Sequence, residues 1–364
     1  MVSFALSDEQ KMLVDAIRRY ARTNLRPKAR EAEETKEMPA DLLEKGWELG
    51  YLQASVAEPY GGFGERSVVT GVLAAEELAW GDLGGALAVM TPALFVIPIL
   101  LGGTEKQKRE LIPPVIEAEW KPFTAALVEP SFDFDPDDLH CTALDSGDGY
   151  ILSGEKWYVP YADQAKAMIV YARLEDKTQG FIVQAGQAGL QIGERQKVMG
   201  INALPLFQLR LNDVKVAKQD RLGEEAGHVF TPILDAFRVA SAAMAVGLSQ
   251  AALDYACDYA KEREVFGVKV AQKQAIAFML AEMATEIEAI RLLTWEAAWK
   301  LDTARPDASH EAHLAFNGAV DMAMMVTDRA VQILGGHGYV RDHPVELWMR
   351  NGRGVAVLTG LSMV

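Results

Sequence analysis

Gln332-Ile333-Leu334-Gly335-Gly336-His337-Gly338, read together with Arg263-Glu264-Val265-Phe266-Gly267 and Gln274, decides how this chain is assembled. Each segment lies at the end of a long apolar run. Residues 233–263, 271–302 and 308–334 carry such runs, the last two divided by Arg305-Pro306-Asp307. Runs of this length predict helices packed in a bundle, often with one face against another subunit. Glycines after residue 334 let backbone amides approach a ligand closely, although a Gly-Gly pair there also serves as an ordinary helix cap. Arg263 has the fork that grips a pyrophosphate, and Phe266 has a face that stacks on a base. Taken singly, the arginine equally suits a helix C-terminus.

Upstream the pattern changes. Gly149-Tyr150-Ile151-Leu152-Ser153-Gly154, residues 167–172 and residues 180–184 are short β-like runs with turn residues between them. Phe207, Leu209 and Leu211 alternate with Gln208, Arg210 and Asn212, the period of a half-buried strand. Before residue 118 helical spacing returns. Ser7-Asp8-Glu9-Gln10 reads as a capping box opening a helix with Leu13, Ile17 and Tyr20 on one face, rather than as a signal peptide. Residues 42–50 read as a helix ending on a glycine, and Glu58-Pro59-Tyr60-Gly61-Gly62-Phe63-Gly64 as a loop. The division is α+β: helical over 1–118, β over 119–222, helical over 223–364.

The 364 residues are 50% hydrophobic, enough for a large core. A net charge of −15 and a pI near 4.9 exclude a nucleic-acid partner, which needs a basic face. Two cysteines, Cys141 and Cys257, give no disulfide framework and no zinc spacing, and suit a reducing cytoplasm. Residues 83–103 are uncharged and long, but Pro92 and Pro98 interrupt them, so two short buried helices are expected rather than membrane insertion. Asp133, Asp135, Asp137 and Asp138 cluster around Pro136 as a solvated turn; His310 and His313 share a helix face without a third partner for a metal. Trp157 sits where a tryptophan either packs or covers a flat ring. No Walker loop, nucleophile elbow or Gly-x-Gly-x-x-Gly occurs.

Together these segments resemble the acyl-CoA dehydrogenase family. The match runs in order through Tyr60-Gly61-Gly62-Phe63-Gly64, Gly103-Thr104-Glu105-Lys106-Gln107-Lys108, Glu129-Pro130, Gly154-Glu155-Lys156-Trp157, Arg263 to Gly267 with Gln274, and Gln332 to Gly338. The resemblance implies a middle β-barrel or sandwich-like domain, a C-terminal four-helix bundle, and a tetramer binding FAD and acyl-CoA thioesters. It further implies electron transfer to an electron-transfer flavoprotein. Arg263, Phe266, Gln274, Gln332, Gly335, Gly336 and Gly338 match positions that contact the neighbouring subunit's FAD. Trp157 matches a flavin-side residue, and Asp235 and Arg238 match the acyl-CoA channel.

The same resemblance exposes departures. The family's usual glutamate base is replaced by Thr359, and the alternative base position, just before an arginine, by Phe237. A threonine hydroxyl is no general base near neutral pH without an activating neighbour. Val128, Phe134 and the Trp157-Tyr158-Val159 segment stand where hydroxyl residues meet the flavin, and the family's final helix is expected to be missing. Residues for a neighbour's FAD are kept while those for the chain's own are lost. This resembles the glutamate-less subunit of the α2β2 heterotetramers known from bacterial sterol side-chain breakdown. Two alternatives stay open: a homo-oligomeric flavoenzyme with a displaced base or a different reaction (a lyase or monooxygenase), and a flavin-free paralogue.

Overall fold

The computed structural model describes residues 5–117, 119–357 and 359–364. Seven helices come first: α1 (Asp8–Tyr20), α2 (Arg26–Thr35), α3 (Ala40–Trp47), α4 (Val68–Gly81), α5 (Leu83–Met90), α6 (Ala93–Gly102) and α7 (Glu105–Leu111). The expected capping box forms: Ser7 Oγ accepts from the Gln10 amide and the Gln10 side chain accepts from the Ser7 amide. Val14, Ile17 and Tyr20 are buried on that helix, with Leu13 only partly so. Thr104 and Gln107 repeat the device on α7. The uncharged run becomes α5 and α6, bent by 51° and almost wholly buried in protein.

The middle strands are β1 (Thr124–Ala126), β2 (Thr142–Asp145), β3 (Gly149–Pro160), β4 (Ala167–Leu174), β5 (Lys177–Gln184), β6 (Leu190–Arg195) and β7 (Leu206–Ala217). They join in the order β1-β4-β2-β3-β7-β6, with β5 on the free side of β4. β4 is covered on both faces. Ile169 and Tyr171 join the core shared with the helices, while Met168, Val170 and Ala172 join a second core inside the β domain. Leu152, Leu209 and Leu211 of the opposite strands complete that second core, the barrel-like arrangement expected. The alternation in β7 is as read: Leu209 is buried and Arg210 exposed.

The last third holds α8 (Thr231–Glu262), a two-residue hairpin of β8 (Glu264–Val265) and β9 (Val268–Lys269), α9 (Gln274–Asp302), α10 (Ala308–Leu334) and α11 (Val345–Gly354). α8 is apolar on every side because it is the central helix, packed by α4, α9 and α10. It is also long and apolar enough to cross a membrane, but 89% of its most apolar window is buried inside the fold.

His228 links the β domain to the start of α8. Its Nε2 accepts from the Gly180 amide at 2.9 Å, and its backbone is held by the Gln179 side chain. Burial holds the imidazole neutral and lowers its pKa to about 4. A folded value below the unfolded 6.5 means the stabilisation is complete above pH 6.5 and is lost as pH falls toward 4. Asp82, raised to about 6 by burial, titrates in the opposite sense over an overlapping range. The two are separated by comparing wild type with His228→Gln in urea at several pH values. The wild-type advantage is expected to shrink by on the order of 2–3 kcal/mol between pH 7.5 and 4.5.

Candidate functional site

A cavity of about 710 Å³ opens where the β domain meets α8 and α10. One wall is the segment after β1. There Glu129 is 5% exposed, and its carboxylate accepts from Lys156 Nζ at 2.7 Å and from the amides of His140 (2.7 Å) and Cys141 (2.9 Å). Lys156 is fully buried and also donates to the Leu127 carbonyl at 3.0 Å. The pair ties residues 127–141 to β3. It is a structural clamp, because three donors, one of them a buried ammonium, converge on the carboxylate.

The opposite wall comes from a break in the β3–β7 register between Lys156 and Val159. The extra residue puts Tyr158 at φ 55°, where its amide donates to the Gln196 side chain at 2.8 Å. Positive φ is unfavourable for a bulky residue, and such bulges re-aim side chains next to sites. Trp157 and Tyr158 both line the cavity and meet edge to face. The indole N–H of Trp157 is buried without a partner among the described residues. Val128 faces the cavity, whereas Val159 is fully buried in the β core. Phe134 lines the wall and Phe132 is exposed beside it. The four aspartates form the turn expected, with Asp135 accepting from the Asp137 amide at 2.9 Å. No group of three or more metal-ligating side chains gathers among the described residues.

Thr359 lines the cavity; Leu358 lies outside the described residues. Phe237 points away, fully buried and packed against Tyr171. Arg238 lines the cavity, but Asp235 stands behind it, 1% exposed, pairing with Arg238 at 3.3 Å and accepting from Ser309. Burial raises the Asp235 pKa. Asp235 therefore positions Arg238 rather than reaching the cavity itself. Sequence reading missed the face of α10 that closes the space: His313, Phe316 and Asn317. Their i, i+3, i+4 spacing was the available signal, but an exposed histidine on an amphipathic helix has no distinguishing pattern.

The second group gathers at the far end of the bundle. Phe266 and Gly267 both have positive φ, 57° and 77°, making a tight hairpin turn that holds Phe266 out at 93% exposure. Arg263 and Gln274 flank it, both exposed and without side-chain partners among the described residues. Tyr259, one turn before Arg263, meets His337 Nδ1 at 2.9 Å, so the end of α8 and the turn after α10 are neighbours. Gln332 is exposed there too. Gly335 needs its φ of 59° to end α10. Gly336 needs no such angle, and a Cβ on it meets nothing within 4 Å. Gly338 is different: it is buried, and a Cβ would lie 2.4 Å from the Val331 carbonyl, so packing alone accounts for it.

Three family models cover the chain: acyl-CoA dehydrogenase N-terminal domain over residues 7–119, middle domain over 124–214 and C-terminal domain over 227–364. The chain belongs to the acyl-CoA dehydrogenase family. It is 34% identical to a 3-(aryl)acrylate reductase of Clostridium sporogenes, covering 98% of this chain and 96% of that protein. It is also 34% identical to the caffeyl-CoA reductase-Etf complex subunit CarC of Acetobacterium woodii, with the same coverage. The butyryl-CoA dehydrogenase structure from Megasphaera elsdenii superposes with a TM-score of 0.89 at 33% identity, covering 100% of this chain and 96% of that one. Family membership fixes the fold and its helix–β–helix order.

Proposed function

We propose that this chain is a subunit of an FAD-dependent acyl-CoA dehydrogenase complex that lends binding surface to a neighbour's flavin and has no carboxylate base of its own. The observation that carries this is the cavity's ionisable lining. Among the described residues it consists of Glu129, Tyr158, Arg238 and His313, and Glu129 is locked to Lys156. FAD suits the two surfaces unequally. The outer face fits its adenine and pyrophosphate end: an unpaired arginine, an exposed phenyl ring and a glycine with open space before it. The cavity has an indole N–H without a partner among the described residues, but its lining carries apolar Val128 and Phe134 where hydroxyl side chains would hold the ring and the pyrophosphate.

When bound, FAD supplies acceptance of hydride from an acyl thioester. This chain's residues do the holding. Arg263 would pair with phosphate, Phe266 would stack, and Gln274, Gln332 and Gly335–Gly336 would frame the same end. Trp157 walls the cavity and Arg238, fixed by Asp235, stands at the acyl-CoA side. A fuller family member is the proposed partner in a heterotetramer, and electron-transfer flavoprotein the proposed electron acceptor, in keeping with the Etf complex named for CarC. A sterol side-chain-derived acyl group follows from the resemblance to the heteromeric relatives, and two unpaired cysteines support a cytoplasmic setting.

A second reading, in which the chain is a complete homo-oligomeric flavoenzyme, is favoured by the retained cavity. Thr359→Glu separates the two. On the first reading the variant alone, supplied with FAD, is expected to give no acyl-CoA oxidation with an electron-accepting dye. Appearance of turnover would favour the second.

A further inference from the structure

We propose that the cavity of this chain selects an acyl thioester whose acyl group carries an aromatic ring. The inference rests on the reading that the cavity receives an acyl thioester. It goes beyond that reading by taking the acyl group from the cavity's own lining, which favours an aryl ring over the saturated carbons of a sterol-derived fragment.

The lining is rich in rings. Five of its seventeen described residues are Phe, Trp or Tyr, whereas such residues make up 8% of the chain. They come from three separate elements: Phe132 and Phe134 from the segment after β1, Trp157 and Tyr158 from β3, and Phe316 from α10. A ligand between those elements meets rings from more than one side. The neighbouring pocket of about 370 Å³ shares Tyr158 but has no other aromatic residue in its described lining, so the concentration belongs to this cavity.

Two of the rings are fixed in place. Trp157 and Tyr158 stand edge to face, their centroids 6.0 Å apart and their planes at 87°. The positive φ of Tyr158 and the bond from its amide to Gln196 set the bulge that carries both. A preset ring loses little freedom when a second ring packs on it. Phe132 is fully exposed beside the space, so a ligand that covers it removes apolar surface from water. Aromatic pairs gain more than their buried area, through the ring quadrupole, and a saturated ring of the same size does not. Val128 and Phe134, which offer a flavin no hydrogen bond, cost a hydrocarbon ring nothing. Arg238, fixed by Asp235, leaves a cation for the anionic carrier of the thioester.

The test needs no turnover. The full chain is titrated by equilibrium dialysis with 3-phenylpropanoyl-CoA and with 3-cyclohexylpropanoyl-CoA, which has the same carbon skeleton and a saturated ring. The phenyl ligand is expected to bind about fivefold more tightly or better, the gain of one or two aromatic pairs. Phe316→Leu is a conservative change at a half-buried position and is expected to lower that ratio at least about twofold. Phe278→Leu, on the exposed surface of α9, is expected to leave it unchanged. A smaller ratio in wild type overturns the proposal and leaves the acyl-thioester reading standing, since both ligands then bind. A ratio that Phe316→Leu does not move also overturns it, because the selecting rings then lie elsewhere. Failure of both ligands to bind overturns the reading together with the proposal.

Discussion

Replacing Lys156 by Met is expected to destabilise the fold by about 3–5 kcal/mol, read as a lowered midpoint in urea with an unchanged slope. The ammonium group is wholly inside the protein, 2.7 Å from Glu129 and 3.0 Å from the Leu127 carbonyl. Removing it strands a carboxylate that is itself only 3% exposed. The two remaining amide donors, from His140 and Cys141, soften that cost without removing it. Replacing both partners with apolar residues is expected to recover part of the loss, because a buried pair is repaid poorly against apolar packing. A small effect of Lys156→Met would mean that Glu129 is not tied down and is again available as a base, which would undercut the account of the cavity.

The second large effect is on cofactor retention. Gly336→Leu is expected to leave the chain's own stability within about 0.5 kcal/mol, since a side chain there enters open space and the backbone angle is not left-handed. In the assembled complex the same leucine would project into the space assigned to the neighbour's FAD, and flavin absorbance after gel filtration should fall severalfold or more. Arg263→Ala should act in the same direction. Loss of one charge-assisted hydrogen bond, about 1.5–3 kcal/mol, corresponds to roughly 10–150-fold weaker binding. Gly338→Leu is the contrast: with the Val331 carbonyl 2.4 Å away, it should damage folding of the chain itself. Full flavin content in both Gly336→Leu and Arg263→Ala would contradict the assignment of this face.

Much of this was legible in the residues. The period-two alternation of Phe207, Leu209 and Leu211 and the unbroken apolar run of α8 report burial, and burial is what sets the layers. The glycines and Arg263 could be placed at helix ends for the same reason. The cavity was less legible because its walls come from separated elements. The register break that turns Tyr158 outward has no glycine to announce it. Lys156 and Glu129 look like two surface charges until the strand that carries one is laid against the segment that carries the other. Asp235 and Arg238 came from the family resemblance, which did not show that they pair with each other. That Ser309 would hold the carboxylate back from the cavity depended on how α10 crosses α8. His313 and Asn317 needed the same crossing, which periodicity does not give.

The most direct test of the divided-site account is native mass spectrometry of the complex purified from its own host through a tag on this chain. The account predicts two unlike chains in equal number with about one FAD per pair. A homo-oligomer of this chain with one FAD on every copy would contradict it.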